Sequence, residues 1–179
     1  RAEAEAAIAS LKVAVGVVVA SWLVDPASGR VQVTLVDRHE TYAHNDPSAA
    51  FPHNAFVDHL IEVASSDRHT VKPWLSARLD YSPPVQDLAN EGFTLIGGRL
   101  DYLERRPVAT LVYRYRQHTI DVFVRPETSR APLSALRTVR GFNVARANGP
   151  SMDWLAVSDA EPAVLSAFVQ RLAREDISQ

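Results

Sequence analysis

The chain has 179 residues and 19.7 kDa, and 46% of it is hydrophobic, which is enough for a real core and excludes a wholly disordered protein. Acidic residues outnumber basic ones by 21 to 19, so the strong basic excess of a free-standing nucleic-acid binder is missing, and no direct nucleic-acid contact is expected. There is no cysteine, which excludes a disulfide scaffold, a thiolate nucleophile, an iron–sulfur cluster and a cysteine-based zinc finger.

Residues 6–24 form a mostly apolar run whose one charged residue is Lys12. A bilayer-spanning helix needs about 20 mostly apolar residues, and the run is long enough. Lys12 can snorkel toward the side of Arg1, which leaves Trp22 at the opposite interface. The same stretch also reads as a hairpin. Residues 15–24 are rich in β-branched types, 25–29 are turn-forming, and 31–36 partly alternate. The expectation is an N-terminal flank and transmembrane helix over 1–24, with a buried hairpin strand as the alternative.

Residues 25–55 then read as a juxtamembrane segment or linker, polar from Asp37 to Asn54. Phe56, Leu60 and Val63 predict one helical stripe over 55–64, with Asn54 as its cap and Ser65, Ser66 and Asp67 ending it. Pro73 opens a short helix over 73–79, since proline suits the first helical position. Residues 85–90 suit one or two helical turns stopped by Gly92.

Sheet signals follow. Residues 93–103 read as a strand interrupted at Gly97 and Gly98, and 108–116 and 119–125 alternate and are joined by short turns, which predicts an antiparallel meander. Residues 127–136 form a connection, and 142–147 and 152–157 are two further strands around Asn148, Gly149 and Pro150. Asp159 is placed to cap a helix over 161–175 whose buried stripe is Val164, Leu165, Phe168, Val169 and Leu172. No internal repeat is present. The fold class is α+β: an antiparallel β-meander with flanking helices and a C-terminal helix, in one domain over 56–176.

Three constellations carry potential chemistry. His39, His44, His53, His59 and His69 lie close together with Asp46, Asp58 and Asp67 between them, and imidazoles with carboxylates hold Zn²⁺, Ni²⁺ or Cu²⁺ without thiolates. No two of these histidines sit four apart on a helix, so spacing points to a polar loop, with His39, His44 and His53 as the candidate metal ligands and no cofactor expected. Ser66, Asp67 and His69 contain triad residue types, yet no Gly-x-Ser-x-Gly elbow accompanies them, so local capping is the better reading and no catalytic residue is assigned. Arg105, Arg106, Arg114 and Arg116 offer a basic patch, although such residues more often guard strand edges. Trp74, Trp154, Tyr81 and Phe93 are assigned to the core.

The wording of the sequence adds a resemblance. The runs DHLIEVASSDRHTVKPW at 58–74, LDYSPPVQDLA at 79–89, GFTLIGGRLDYL at 92–103 and RPVATLVY at 106–113 resemble the transmembrane anti-sigma factors of bacteria. The runs GFN at 141–143 and WLAVSD at 154–159 continue the likeness in order, from 56 to about 172.

The resemblance implies a cytoplasmic domain that holds an extracytoplasmic-function sigma factor, one transmembrane helix, and a periplasmic regulatory domain. This chain matches the last part, with the run over 6–24 where the membrane helix would fall. The sigma-binding domain, often marked by a cysteine-containing zinc motif, is not found in this sequence, and residues 25–55 match nothing in the family. The implied localisation is the inner membrane, single-pass, with the C-terminal domain periplasmic. The implied partners are a sigma factor, bound through that other domain, and the membrane, with homo-oligomerisation left open. Ser66, Asp67, His69, Thr70, Lys72 and Trp74 match most strongly and are the candidate ligand or partner surface, with a folded corner as the alternative.

Overall fold

The computed structural model describes residues 17–24, 31–37, 61–103, 106–127, 137–139 and 141–174. Two strands, β1 (Val17–Val24) and β2 (Val31–Asp37), pair antiparallel, with a bulge between Val19 and Ser21. The helix expected across 6–24 is therefore replaced over Val17–Val24 by the hairpin strand. Valine, with two heavy atoms on Cβ, favours the pleated surface. Residues 1–16 lie outside the described residues. Among the described residues, no helix is long and apolar enough to cross a membrane.

The helix expected over 55–64 is also corrected where it can be described. Val63 instead forms an antiparallel bridge with Gly98, and Ile61, Glu62, Val63 and Ala64 alternate in exposure as an extended segment does. Residues 55–60 lie outside the described residues. Helix α1 (Arg68–Ser76) begins five residues before the predicted start, at an Asp67 cap, and carries Pro73 in its interior. Pro73 is exposed, and its ring takes the place of an N–H donor inside the helix.

A 3₁₀ turn (Ala89–Glu91) ends at Gly92, whose φ of 89° is the left-handed conformation that glycine adopts freely. The main sheet follows: β3 (Phe93–Leu103), β4 (Arg106–Tyr115), β5 (His118–Pro126), β6 (Arg137–Val139), β7 (Phe142–Asn148) and β8 (Met152–Ser158). Its order is β3-β4-β5-β8-β7-β6, antiparallel throughout, so two three-stranded meanders join where β5 meets β8. The α+β reading holds. Strand β6 was not expected, since its three residues carry no pattern of their own. Helix α2 (Pro162–Arg174) follows β8, within a residue of the predicted limits.

Helices α1 and α2 share one face of this sheet. Val71 and Leu75 of α1 and Leu165, Phe168, Val169 and Leu172 of α2 join Leu95, Leu111, Tyr113, Ile120, Val122, Val124, Trp154 and Ala156 in one core. Phe168 anchors it, stacking on Phe93 at 4.2 Å and meeting Tyr113 edge-on at 5.2 Å. Buried hydroxyls are tied to the backbone. Tyr113 donates to the Gln86 carbonyl (2.8 Å), and the Tyr81 hydroxyl donates to the Val124 carbonyl (2.7 Å) while accepting from the Ala109 amide (2.9 Å).

Candidate functional site

The corner at Ser66–Trp74 is built by capping. Asp67 Oδ1 accepts from the His69 amide at 2.8 Å, its Oδ2 takes the Thr70 hydroxyl at 3.4 Å, and the Ser65 hydroxyl accepts from the Asp67 amide at 3.1 Å. The carboxylate thus satisfies a helix N–H that has no partner within the helix, beside the positive end of the helix dipole. Ser66, Asp67, His69 and Thr70 are exposed, while Lys72 and Trp74 are half-buried. The Arg78 guanidinium lies 4.0 Å over the Trp74 ring, and its Nη1 donates to the Trp74 carbonyl at 3.1 Å. Each polar group of the cap is directed at α1 itself, which is the chemistry of a folded corner.

His39, His44 and His53 lie outside the described residues, and His69 stands exposed at the start of α1. Among the described residues, no group of three or more His, Asp or Glu side chains comes together in a way that could hold a metal ion. Of the basic residues, Arg106, Arg114 and Arg116 are exposed, and Arg116 leans on the Tyr115 ring at 5.2 Å. Asp159 turns its carboxylate to His118 Nδ1 at 2.9 Å, which links the β4–β5 turn to the start of α2.

A second constellation lies on the sheet face opposite the helices. Strand alternation places Arg99 and Asp101 of β3, Thr110 of β4, Asp121 and Arg125 of β5, Arg146 of β7 and Asp153 of β8 on that side. Between them stand Val108, Val112, Phe123, Val144, Leu155 and Val157, none of which belongs to the helix-side core. The face is nonetheless buried: Phe123 and Leu155 are 1% exposed, Arg99 1% and Asp153 0%.

Two ion clusters flank this apolar centre. Arg99 Nε bonds Asp101 at 2.8 Å and its Nη2 bonds Asp121 at 2.7 Å, while the Thr110 hydroxyl donates to Asp101 at 2.9 Å. Burial disfavours the Arg99 charge, but the two carboxylates outweigh it and hold the guanidinium protonated above its usual range. On the other side Arg146 Nη2 meets Asp153 at 3.1 Å, and Arg125 approaches the same carboxylate at 3.8 Å. Burial pushes the Asp153 carboxyl up, against the pull of Arg146 and Arg125. Asp121 Oδ1 is buried with no hydrogen-bond partner among the described residues.

Sequence reasoning missed this face. Its only signal was charge of both signs placed mid-strand, at positions alternating with the core residues. Among the described residues it brings three arginines and three aspartates together on one buried side of the sheet. Set against protein-family models, curated proteins and solved structures, the chain matches none of them.

Proposed function

We propose that this chain supplies the periplasmic regulatory domain of a membrane-bound anti-sigma factor, controlling an extracytoplasmic-function sigma factor without catalysis. The observation that carries the proposal is the order of the family-like runs, read together with what each run builds. Residues 58–74 run into the Asp67 cap and α1, 79–89 bring Tyr81 and Gln86 to the core, and 92–113 make the β3–β4 pair. The likeness therefore falls on segments that fold together as one unit. In this proposal the sigma factor binds a cytoplasmic domain outside residues 1–179, and the membrane-spanning segment lies N-terminal to Val17. Regulation then requires two states of the domain that a signal weights differently.

A promoter reporter tests this. In cells carrying the full-length protein, deleting 61–174 should change output from the promoter of its sigma factor, with the cytoplasmic domain at equal abundance. Unchanged output at equal abundance would contradict the proposal.

A further inference from the structure

Asn148 is the only asparagine of the chain that is followed by glycine. In such a pair the glycine nitrogen meets little steric resistance when it attacks the asparagine side chain. The Gly149 nitrogen gives up its proton and bonds Asn148 Cγ, the Cγ–Nδ2 bond breaks, and the side-chain nitrogen leaves as ammonia with that proton. Water then opens the five-membered imide at either carbonyl, to aspartate or to isoaspartate, whose backbone runs through the former side chain. Asn148 is the last residue of β7 and Gly149 begins the turn to β8, and both are half-buried.

The folded turn works against the first of these steps. The Gly149 amide, which is the attacking group, donates to the Met152 carbonyl at 2.8 Å. Asn148 is in register with Asp153, so its backbone is extended, and the Gly149 nitrogen reaches Cγ only by leaving this pairing. The far side of the turn is tied as well, because the Ser151 carbonyl accepts from the Glu127 amide at 2.9 Å. Pro150 fixes one backbone angle at the corner. The same register decides what the product meets. Asn148 lies on the charged side of the sheet, directly opposite Asp153, which is 0% exposed and has Arg146 at 3.1 Å and Arg125 at 3.8 Å. A carboxylate at 148 would stand across from a like charge, which is destabilising. Isoaspartate would also lengthen the backbone by one carbon at the last paired position of β7.

We propose that Asn148–Gly149 is a deamidation site held closed by the β7–β8 turn: the reaction runs when the turn comes apart, and its product hinders the turn from re-forming. Loss of ammonia makes each event permanent, so the pair records how often the turn has opened. The site's behaviour is independent of which regulator the domain serves.

The natural chain would be held at mildly alkaline pH in buffer and in concentrated urea, with aspartate and isoaspartate at 148 read by mass spectrometry. Conversion should be at least about tenfold slower in buffer, where it waits on local opening. Hydrogen exchange should find the Gly149 amide protected. Pro150→Gly leaves the reacting pair unchanged but loosens the corner, and should speed conversion about two- to fivefold in buffer and not in urea. Asn148→Asp, the direct product, should unfold at lower urea than Asn148→Ser, which is neutral and cannot react. Equal rates in buffer and urea, no conversion in urea, an unprotected Gly149 amide, or no gain in Pro150→Gly would overturn the gating. Equal stability of Asn148→Asp and Asn148→Ser would overturn the effect assigned to the product.

Discussion

Removing the Arg99 guanidinium should be the most damaging single change on the charged face. Arg99 answers two carboxylates, at 2.8 Å and 2.7 Å, and all three side chains are at most 9% exposed. Arg99→Leu keeps apolar bulk but strands Asp101 and Asp121 together in a buried site. Breaking a buried pair in this way typically costs roughly 3–5 kcal/mol, against a total stability of about 5–15 kcal/mol for a domain. With a urea slope of about 1–3 kcal/mol/M, the unfolding midpoint should fall by about 1–5 M.

Adding Asp101→Asn and Asp121→Asn should recover more than half of the loss, because no buried charge then lacks a partner. An unchanged urea midpoint would refute the reasoning.

Other perturbations separate the roles of the remaining parts. Asp67→Ala should lower stability by about 0.5–2 kcal/mol, the usual effect of losing an N-cap, and Asp67→Asn should restore most of it in thermal unfolding. Gly97→Ala should destabilise by roughly 1–3 kcal/mol, since its φ of 156° disfavours a side chain and an added Cβ would collide with Ile61 and the Val63 carbonyl. Hydrogen exchange should show amides 61–64 released first. Phe168→Ala should cost about 3–5 kcal/mol by emptying the space against Phe93 and Tyr113, measured by urea unfolding. Burial pushes the Tyr81 phenol up to about 12, so the folded state keeps a proton that the unfolded chain gives up near pH 10. Stability should accordingly fall as pH rises from about 10 through 12, with Tyr81 ionisation seen in ultraviolet absorbance only as the protein unfolds.

Much of the domain was legible in the sequence because its periods are clean. The stripe of Leu165, Phe168, Val169 and Leu172 repeats at helical spacing, and the runs that became β4 and β5 alternate with short turns between them. Errors fell where two periods fit one stretch. Phe56, Leu60 and Val63 satisfy a helical stripe, yet Ile61 and Val63 alternate equally well as an extended edge segment, and only the partner Gly98 decides. Pro73 suggested a helix start, but an outward-facing proline is tolerated inside α1 once Asp67 has fixed the first turn. The apolar run before Val24 satisfied both a membrane helix and a hairpin, and pairing with Val31–Asp37 depends on long-range contact that local hydropathy does not carry.

The site was legible only in part. Ser66, Asp67 and Thr70 are turn and cap types, and their geometry follows directly from that chemistry. The charged face was not, because Arg and Asp within a strand normally mark the solvent side. A sheet buried on both faces breaks that rule, and the complementarity of Arg99 with Asp101 and Asp121 emerges only when β3, β4 and β5 are set in register.

The most direct measurement is affinity purification of the full-length protein, tagged at its C-terminus, from detergent-solubilised inner membranes. An extracytoplasmic-function sigma factor should co-purify in near-equal amount, and protease added outside intact spheroplasts should remove the tag. A tagged protein recovered from the soluble fraction without a sigma factor, its tag protected inside the cell, would contradict the account.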